Sequence, residues 1–478
     1  MVAGELPALD DVEVGSLPPE RLLEVVAEED REALRRGLQS APALFAGRTV
    51  WNVNSTAQGG GVAEMLQSLV PYARGAGIDT RWVVIQGEPE FFAVTKRIHN
   101  NLHGAPGDGG ELDAGARAVY DEVTAVNAAR LRERIAPGDI VLLHDPQTAG
   151  LVRPLIGACA TVIWRCHVGV DRPNELVRRA WDFLRPDVSA ADAVIFSTRT
   201  FVWDGLDEER VHIIAPSIDP FAPKNYDLDR DAVSGILAAA GIEDNEAPGG
   251  AKFRRADGDA ATLTHRAAMV ESSRVTPKTP LVVQVSRWDR LKDPFGVMRG
   301  FIDHVVPHVS SHLMLAGPAT AEVTDDPEGA RVFEELRATW EAQEPDCRSR
   351  IHLATLPMDD VEENAVIVNA LQRRAQVVVQ KSLAEGFGLT VAEAMWKARP
   401  VVASALGGIC DQVEDGVSGL LVDPADLPAF GAAVSRLFRD HDAAERMGEQ
   451  AQARVRHEFL GSRHLLQYLE LMAALIAG

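Results

Sequence analysis

The chain has 478 residues, which at roughly 100 to 200 residues per domain implies two or three domains. Hydrophobic residues make up 46% and charged residues 25%, the balance of a folded chain and not of a disordered one. Lys and Arg number 48 against 70 Asp and Glu, a formal charge of −22; this excludes a general nucleic-acid binder, which needs clustered positive charge, and leaves room for a local basic pocket.

No apolar run, Leu155–Trp164 included, approaches the roughly 18 residues of a membrane span. Met1–Asp11 is acidic, with no basic segment leading into an apolar one, so no secretory signal is expected and the default compartment is the cytoplasm. Cys159, Cys166, Cys347 and Cys410 form no CxxC pair, which argues against a zinc site or a disulfide framework.

Residues 1–46 carry Leu22, Val25, Val26, Leu34 and Leu38 behind Pro18 and Pro19, predicting an N-terminal amphipathic helix that packs and does no chemistry. Over 47–240 the pattern changes to short β-branched runs between helical stretches: Thr49–Val53, Arg81–Ile85, Asp139–Leu143, Thr161–Trp164, Ala193–Phe196 and Val211–Ile214. Such alternation predicts a parallel sheet covered by helices. Residues 241–279 break the rhythm with a polar stretch and few large apolar side chains before Met269, and read as a linker with a flexible surface insertion at 244–275. The alternation restarts over 280–440 with Leu281–Val285, His312–Leu315, Ile351–Leu353, Gln376–Val379 and Pro400–Ala403. From Asp426 the pattern is helical, and 441–478 is expected to pack back across the domains. The fold class is α/β: two Rossmann-like parallel-sheet domains facing across a cleft, with C-terminal helices.

Ligands of open parallel sheets bind at the carboxyl ends of the strands, and four such ends carry chemistry. After the first strand, Gly59, Gly60 and Gly61 lead into a helical pattern at Met65 and Leu66, where backbone amides can approach an anion or a sugar. The turn is neither GxGxxG nor GxxxxGK[ST], and Glu88, 29 residues past Gly59, is too distant for a ribose ligand, which disfavours a dinucleotide enzyme. Next, His144, Asp145 and Gln147 follow one strand and Arg165 and His167 end another, forming a polar group suited to sugar hydroxyls. Third, Arg287 and Lys292 pair a planar fork with a mobile point charge, which suits a diphosphate. Last, Glu385 and Glu393 bracket Gly386, Phe387, Gly388, Leu389 and Thr390; helix-start amides there can hold phosphate oxygens while the carboxylates accept from hydroxyls on either side.

Together with Asp415–Val422, these motifs resemble the retaining family 4 glycosyltransferases of GT-B fold. Within that family, residues 51–56, 59–64, 91–96, 164–167, 216–220 and 393–397 are similar to the trehalose glycosyltransferring synthases, from Arg48 onward and with 244–275 as a departure. The resemblance implies a hexosyltransferase joining a UDP-, ADP- or GDP-glucose to glucose. It assigns Arg287 and Lys292 to the diphosphate, Glu393 to the donor ribose and Glu385 to the transferred sugar. It also places Gly60 and Gly61 near the donor phosphates and His167 near the transferred sugar. His144, Asp145, Gln147 and Arg165 are expected on the acceptor side, from their strand-end positions.

No cofactor or metal is expected, since the leaving diphosphate can take the acceptor's proton; Asp325, Asp326 and Glu328 read as a solvated helix start. The expected partners are the nucleotide sugar and glucose or trehalose, with no nucleic acid or membrane and a homodimer among the open assemblies. A trehalose phosphorylase, a relative with another acceptor, and a non-catalytic sugar-nucleotide binder are the alternatives. A phosphorylase has no use for a ribose ligand such as Glu393, and a binder no need for both Lys292 and Glu385.

Overall fold

The computed structural model describes residues 8–57, 61–245, 250–319 and 327–477. Its strands are β1 (Asp10–Asp11), β2 (Thr49–Asn54), β3 (Asp79–Val84), β4 (Ile140–His144), β5 (Thr161–Cys166), β6 (Ala193–Phe196) and β7 (Val211–Ile213) in a first sheet. A hairpin of β8 (Lys252–Arg254) and β9 (Ala260–Thr262) follows. The second sheet holds β10 (Ala268–Val270), β11 (Leu281–Val285), β12 (His312–Pro318), β13 (Ile351–Leu356), β14 (Val377–Gln380), β15 (Val401–Ser404) and β16 (Leu420–Val422). The chain divides into two units, Met1–Ser217 with Phe459–Gly478, and Ile218–Glu458.

In the first unit the strand order is β1-β3-β2-β4-β5-β6-β7, parallel except for β1, which pairs antiparallel with β3. Strands β2, β4 and β5 are buried along their whole length, because helices cover both faces of such a sheet. Trp164, Trp181 and Phe196 surround Trp203 at centroid distances of 5.3, 6.1 and 6.0 Å. One carboxylate joins β2 to the turn before β4: Asp139 accepts from the Thr49 amide, the Trp51 indole and the Ala136 amide, each at 2.9 Å. Asp139→Ala strands these donors in the interior and is expected to lower unfolding free energy by about 2 to 4 kcal/mol, read from a urea titration.

Residues 8–46 differ from the single helix expected over 1–46. Turns of 3-10 helix at Pro19–Glu24 and Glu28–Asp30 precede a helix at Arg31–Leu44, because extended backbone at Ala27 interrupts the run. Strand β1, two aspartates, has no intrinsic tendency to extend; the open edge of β3 recruits it.

The second unit has the order β10-β13-β12-β11-β14-β15-β16, parallel apart from β10 on β13. The connection reverses between β11 and β14, the topological switch point of a doubly wound sheet. Residues 241–279 lie inside this unit and, where described, are no flexible linker. Phe253 and Leu263 of the hairpin segment are buried, and Arg255 binds Asp360 and Glu362 at 2.5 and 2.8 Å. Glu363 accepts from the Thr264 hydroxyl and the His265 amide, each at 2.9 Å. Strands of three residues give little hydrophobic pattern, and their anchors lie about a hundred positions away. The sequence-drawn boundaries at 240 and 441 thus differ from the divisions after Ser217 and before Phe459.

The helical tail is shared out. Leu427–Arg439 and His441–Glu458 pack in the second unit, whereas Gly461–Ala477 packs on Arg31–Leu44 in the first. No helix among the described residues is long and apolar enough to cross a membrane.

Candidate active site

In the second unit the candidate residues gather at the switch point. The turn after β11 carries Arg287 and Lys292, and the turn after β14 carries Lys381–Gly388. Two crossed ion pairs join these turns: Lys292 Nζ lies 2.6 Å from Glu385 Oε2, and buried Lys381 pairs with Asp293. The Leu383 amide also donates to the Leu291 carbonyl at 2.7 Å. Glu385 Oε2 accepts a further bond from the Ser382 hydroxyl at 3.1 Å, so carboxylate and ammonium are held against each other. Asp293 adopts left-handed backbone, φ 50° and ψ 49°, and caps the following helix by accepting from the Gly296 amide. Arg287 differs: its side chain is 65% exposed and touches Asp289 at 3.1 Å, free to swing toward a ligand.

Beyond Glu385 the turn runs through Gly386 and buried Phe387 to Gly388, whose φ of +82° begins the helix Leu389–Trp396. A left-handed residue at that place favours glycine, and the first amides of the helix, those of Leu389 and Thr390, have no intrahelical acceptor. Gly407 closes the other side, and a Cβ there would stand 2.3 Å from the Glu385 carbonyl. Thr390 donates its hydroxyl to Gln380 Oε1 at 3.3 Å. Glu393 is buried, with Lys224 Nζ 3.6 Å from Oε1 and its own carbonyl accepting from Lys397 Nζ at 3.0 Å. Burial pulls the Lys397 ammonium down to about 7.

In the first unit the strand ends of β4 and β5 bring His144, Asp145, Gln147 and His167 together. Asp145 sits at φ 66°, ψ 175°, backbone space that is nearly glycine-only and marks strain held by surrounding contacts. Those contacts are its amide on the Arg165 carbonyl at 2.8 Å and its Oδ1 accepting from the His167 amide at 2.8 Å. Burial pushes the Asp145 carboxyl up to about 6. The same burial, with Arg165 nearby, lowers His144 to about 3 and holds His167 well below the usual imidazole range. Gln147 is half-buried, and its Oε1 has no hydrogen-bond partner among the described residues.

Two expectations change here. Arg165 faces no ligand surface: fully buried, it donates to His464 Nε2 at 2.7 Å, to the Tyr468 hydroxyl and to the Ile214 carbonyl at 2.9 Å. Alternation along β5 turns it toward the helix Gly461–Ala477. His144 is 1% exposed, so it meets His167 and Asn52 in place of a sugar. Gly60 lies outside the described residues, and Gly61 opens the helix Gly61–Gly75. Asp325 and Asp326 also lie outside them, just before the helix Pro327–Glu341. Among the described residues no cluster of three or more His, Cys, Asp or Glu could hold a metal ion.

Sequence reasoning gave no role to Asn52, Asp293, Lys381 and Ser382, although they lie in the stretches that carry the candidate motifs, and Lys224 carried no signal; the partners of all but Ser382 are distant in the chain.

Two family profiles match: the trehalose synthase N-terminal domain over residues 52–203 and the glycosyl transferases group 1 over residues 363–454. A trehalose synthase of Rubrobacter xylanophilus is 36% identical over 93% of this chain and 95% of its own. The chain belongs to the trehalose synthase family. It is a glycosyltransferase, and its family ties it to trehalose chemistry. Another trehalose synthase, from Pyrococcus horikoshii, is 34% identical over 92% of both chains. A trehalose phosphorylase of Pleurotus sajor-caju is 27% identical over 88% of this chain and 57% of its own.

This family member also has the GT-B fold. The UDP-forming trehalose-phosphate synthase of Burkholderia xenovorans aligns over 90% of this chain and 99% of its own, with a TM-score of 0.64 at 17% identity. Anabaena HepE, solved in complex with UDP and glucose, aligns over 89% and 100%, with a TM-score of 0.58 at 15% identity.

Proposed function

We propose that the protein makes α,α-trehalose by transferring glucose from a nucleoside diphosphate donor to free glucose with retention of configuration. The observation that carries this reading is the Lys292–Glu385 pair, 2.6 Å apart, set at a sheet switch point beside a helix start whose amides are open. In this arrangement Arg287, Lys292 and the amides of Gly388, Leu389 and Thr390 hold the diphosphate, and Glu385 faces the transferred sugar. As the glycosidic C–O bond breaks, negative charge grows on the departing phosphate, where these groups stabilise it. That phosphate oxygen then takes the proton of the incoming hydroxyl, which attacks the same face, so no enzyme base and no metal or cofactor is required. His167 and Gln147 are read as ligands of sugar hydroxyls. The family's trehalose synthases and the UDP and glucose carried by Anabaena HepE support the reading. The cytoplasm is the setting we assign, since the buried thiols of Cys159 and Cys166 suit a reducing compartment.

Incubation with glucose and UDP-, ADP- or GDP-glucose in turn, with the product's linkage determined by NMR, tests the reaction. A β-linked product, or none with any donor, overturns it. The phosphorylase reading, raised by the Pleurotus relative, requires instead that trehalose be cleaved by inorganic phosphate alone.

Glu393 separates the two, because only a nucleotide offers it a ribose. Glu393→Gln exchanges a charged acceptor for a neutral one, and affinity for the preferred nucleoside diphosphate is expected to fall roughly 5- to 30-fold, with a smaller change in kcat. Calorimetric titration measures it, and wild-type affinity removes the ribose assignment.

A further inference from the structure

We propose that Asn52 and His144 fix the tautomer of His167, so that His167 presents a lone pair on Nδ1, and not an N–H, to whatever it meets. Asn52 Oδ1 lies 3.4 Å from His144 Nε2, and His144 Nδ1 lies 3.2 Å from His167 Nε2. The two rings are stacked, 5.5 Å apart with 22° between their planes. Asn52 and His144 are 5% and 1% exposed, so water does not compete for these bonds.

The direction of the chain follows from what each atom can do. A carboxamide oxygen only accepts, so His144 must carry its proton on Nε2. A neutral imidazole has one N–H and one lone pair, which leaves His144 Nδ1 an acceptor; His167 therefore donates from Nε2 and keeps its lone pair on Nδ1. Both rings are neutral at physiological pH: burial and the Arg165 guanidinium disfavour a further positive charge. The nearby Asp145 carboxylate is turned to the His167 backbone amide and not to its ring. The oxygen-inward pose of Asn52 is repeated two residues along β2, where Asn54 Oδ1 accepts from the Trp82 indole at 2.8 Å.

The consequence rests on the proposed placement of His167 beside the sugar; the tautomer does not. A lone pair at Nδ1 takes a hydrogen bond from a hydroxyl and repels a carboxylate or an ionised phosphate. Asn52 and His144 are thus positioning residues, acting through His167 to favour a neutral, hydroxyl-bearing group.

Long-range proton–nitrogen correlation spectra of the whole protein, labelled with 15N-histidine and assigned with His144→Gln and His167→Gln, read the tautomers directly. In the wild type both rings are expected as the Nε2–H form, with pyrrole-type Nε2 and pyridine-type Nδ1. His144→Leu removes the acceptor, and both nitrogens of His167 are expected to move to intermediate values as the tautomers mix. A wild-type His167 found as Nδ1–H or as imidazolium overturns the proposal, as does a His167 pattern unmoved in folded His144→Leu. The wild-type spectrum decides even where a variant does not fold. Failure of the trehalose assay with the Nε2–H pattern intact would remove the sugar reading and leave the tautomer standing.

Discussion

Lys292→Ala is expected to lower kcat by roughly 10²- to 10³-fold, the usual loss when one preorganised charge-stabilising donor is removed from a reacting centre. The ammonium stands 2.6 Å from Glu385, so before a donor arrives its charge is balanced by a carboxylate; a diphosphate must then compete for it. Removing Lys292 leaves Glu385 with the Ser382 hydroxyl, and the second ion pair, Lys381 with Asp293, still joins the two turns, so the fold is expected to survive. Arg287→Ala should reduce kcat within the same range by a different route, since its exposed guanidinium has little to organise before the ligand binds. Steady-state kinetics with circular dichroism as the control measures both. An unchanged kcat in Lys292→Ala would place the phosphate elsewhere than the end of β11.

Arg165→Ala carries the largest expected effect on stability, about 3 to 5 kcal/mol. The substitution empties a buried volume and leaves His464 Nε2, the Tyr468 hydroxyl oxygen and the Ile214 carbonyl without their donor; each such loss costs roughly 1 to 3 kcal/mol, softened where a side chain can turn. The guanidinium also lies over the Tyr468 ring at 5.5 Å, and His464 is held from its other nitrogen by the Ser217 hydroxyl at 2.8 Å. Denaturant titration should show a lower midpoint. Stability within 1 kcal/mol of wild type would mean that the helix Gly461–Ala477 is held by its apolar face alone.

The sheet strands were legible because both faces of a helix-covered parallel sheet are buried, which writes the strands as short β-branched runs such as Leu281–Val285. The residues at their carboxyl ends were legible because polar groups there interrupt an apolar pattern: Lys292 and Glu385 stand out for that reason. What stayed hidden is held by tertiary contact. Strand β1 exists because β3 has an open edge, and the hairpin around Phe253 because Asp360 and Glu362 receive Arg255. Arg165 shows the converse error. A cation at a strand end looks like a ligand group until the far helix that consumes its donors is seen, and nothing in residues 161–167 announces a partner some three hundred positions away.

That distant partner bears on how the protein is made. Residues 218–458 complete the second unit before the ribosome has translated the helix Gly461–Ala477 that the first unit needs. At about 5 to 20 residues per second, those 458 − 218 + 1 = 241 residues take roughly 12 to 48 s to synthesise. Throughout that interval Arg165 has neither His464 nor Tyr468, and the apolar seam of Phe45, Val50, Leu66 and Leu142 waits for Leu465 and Leu469. The first unit to emerge is therefore the last to close.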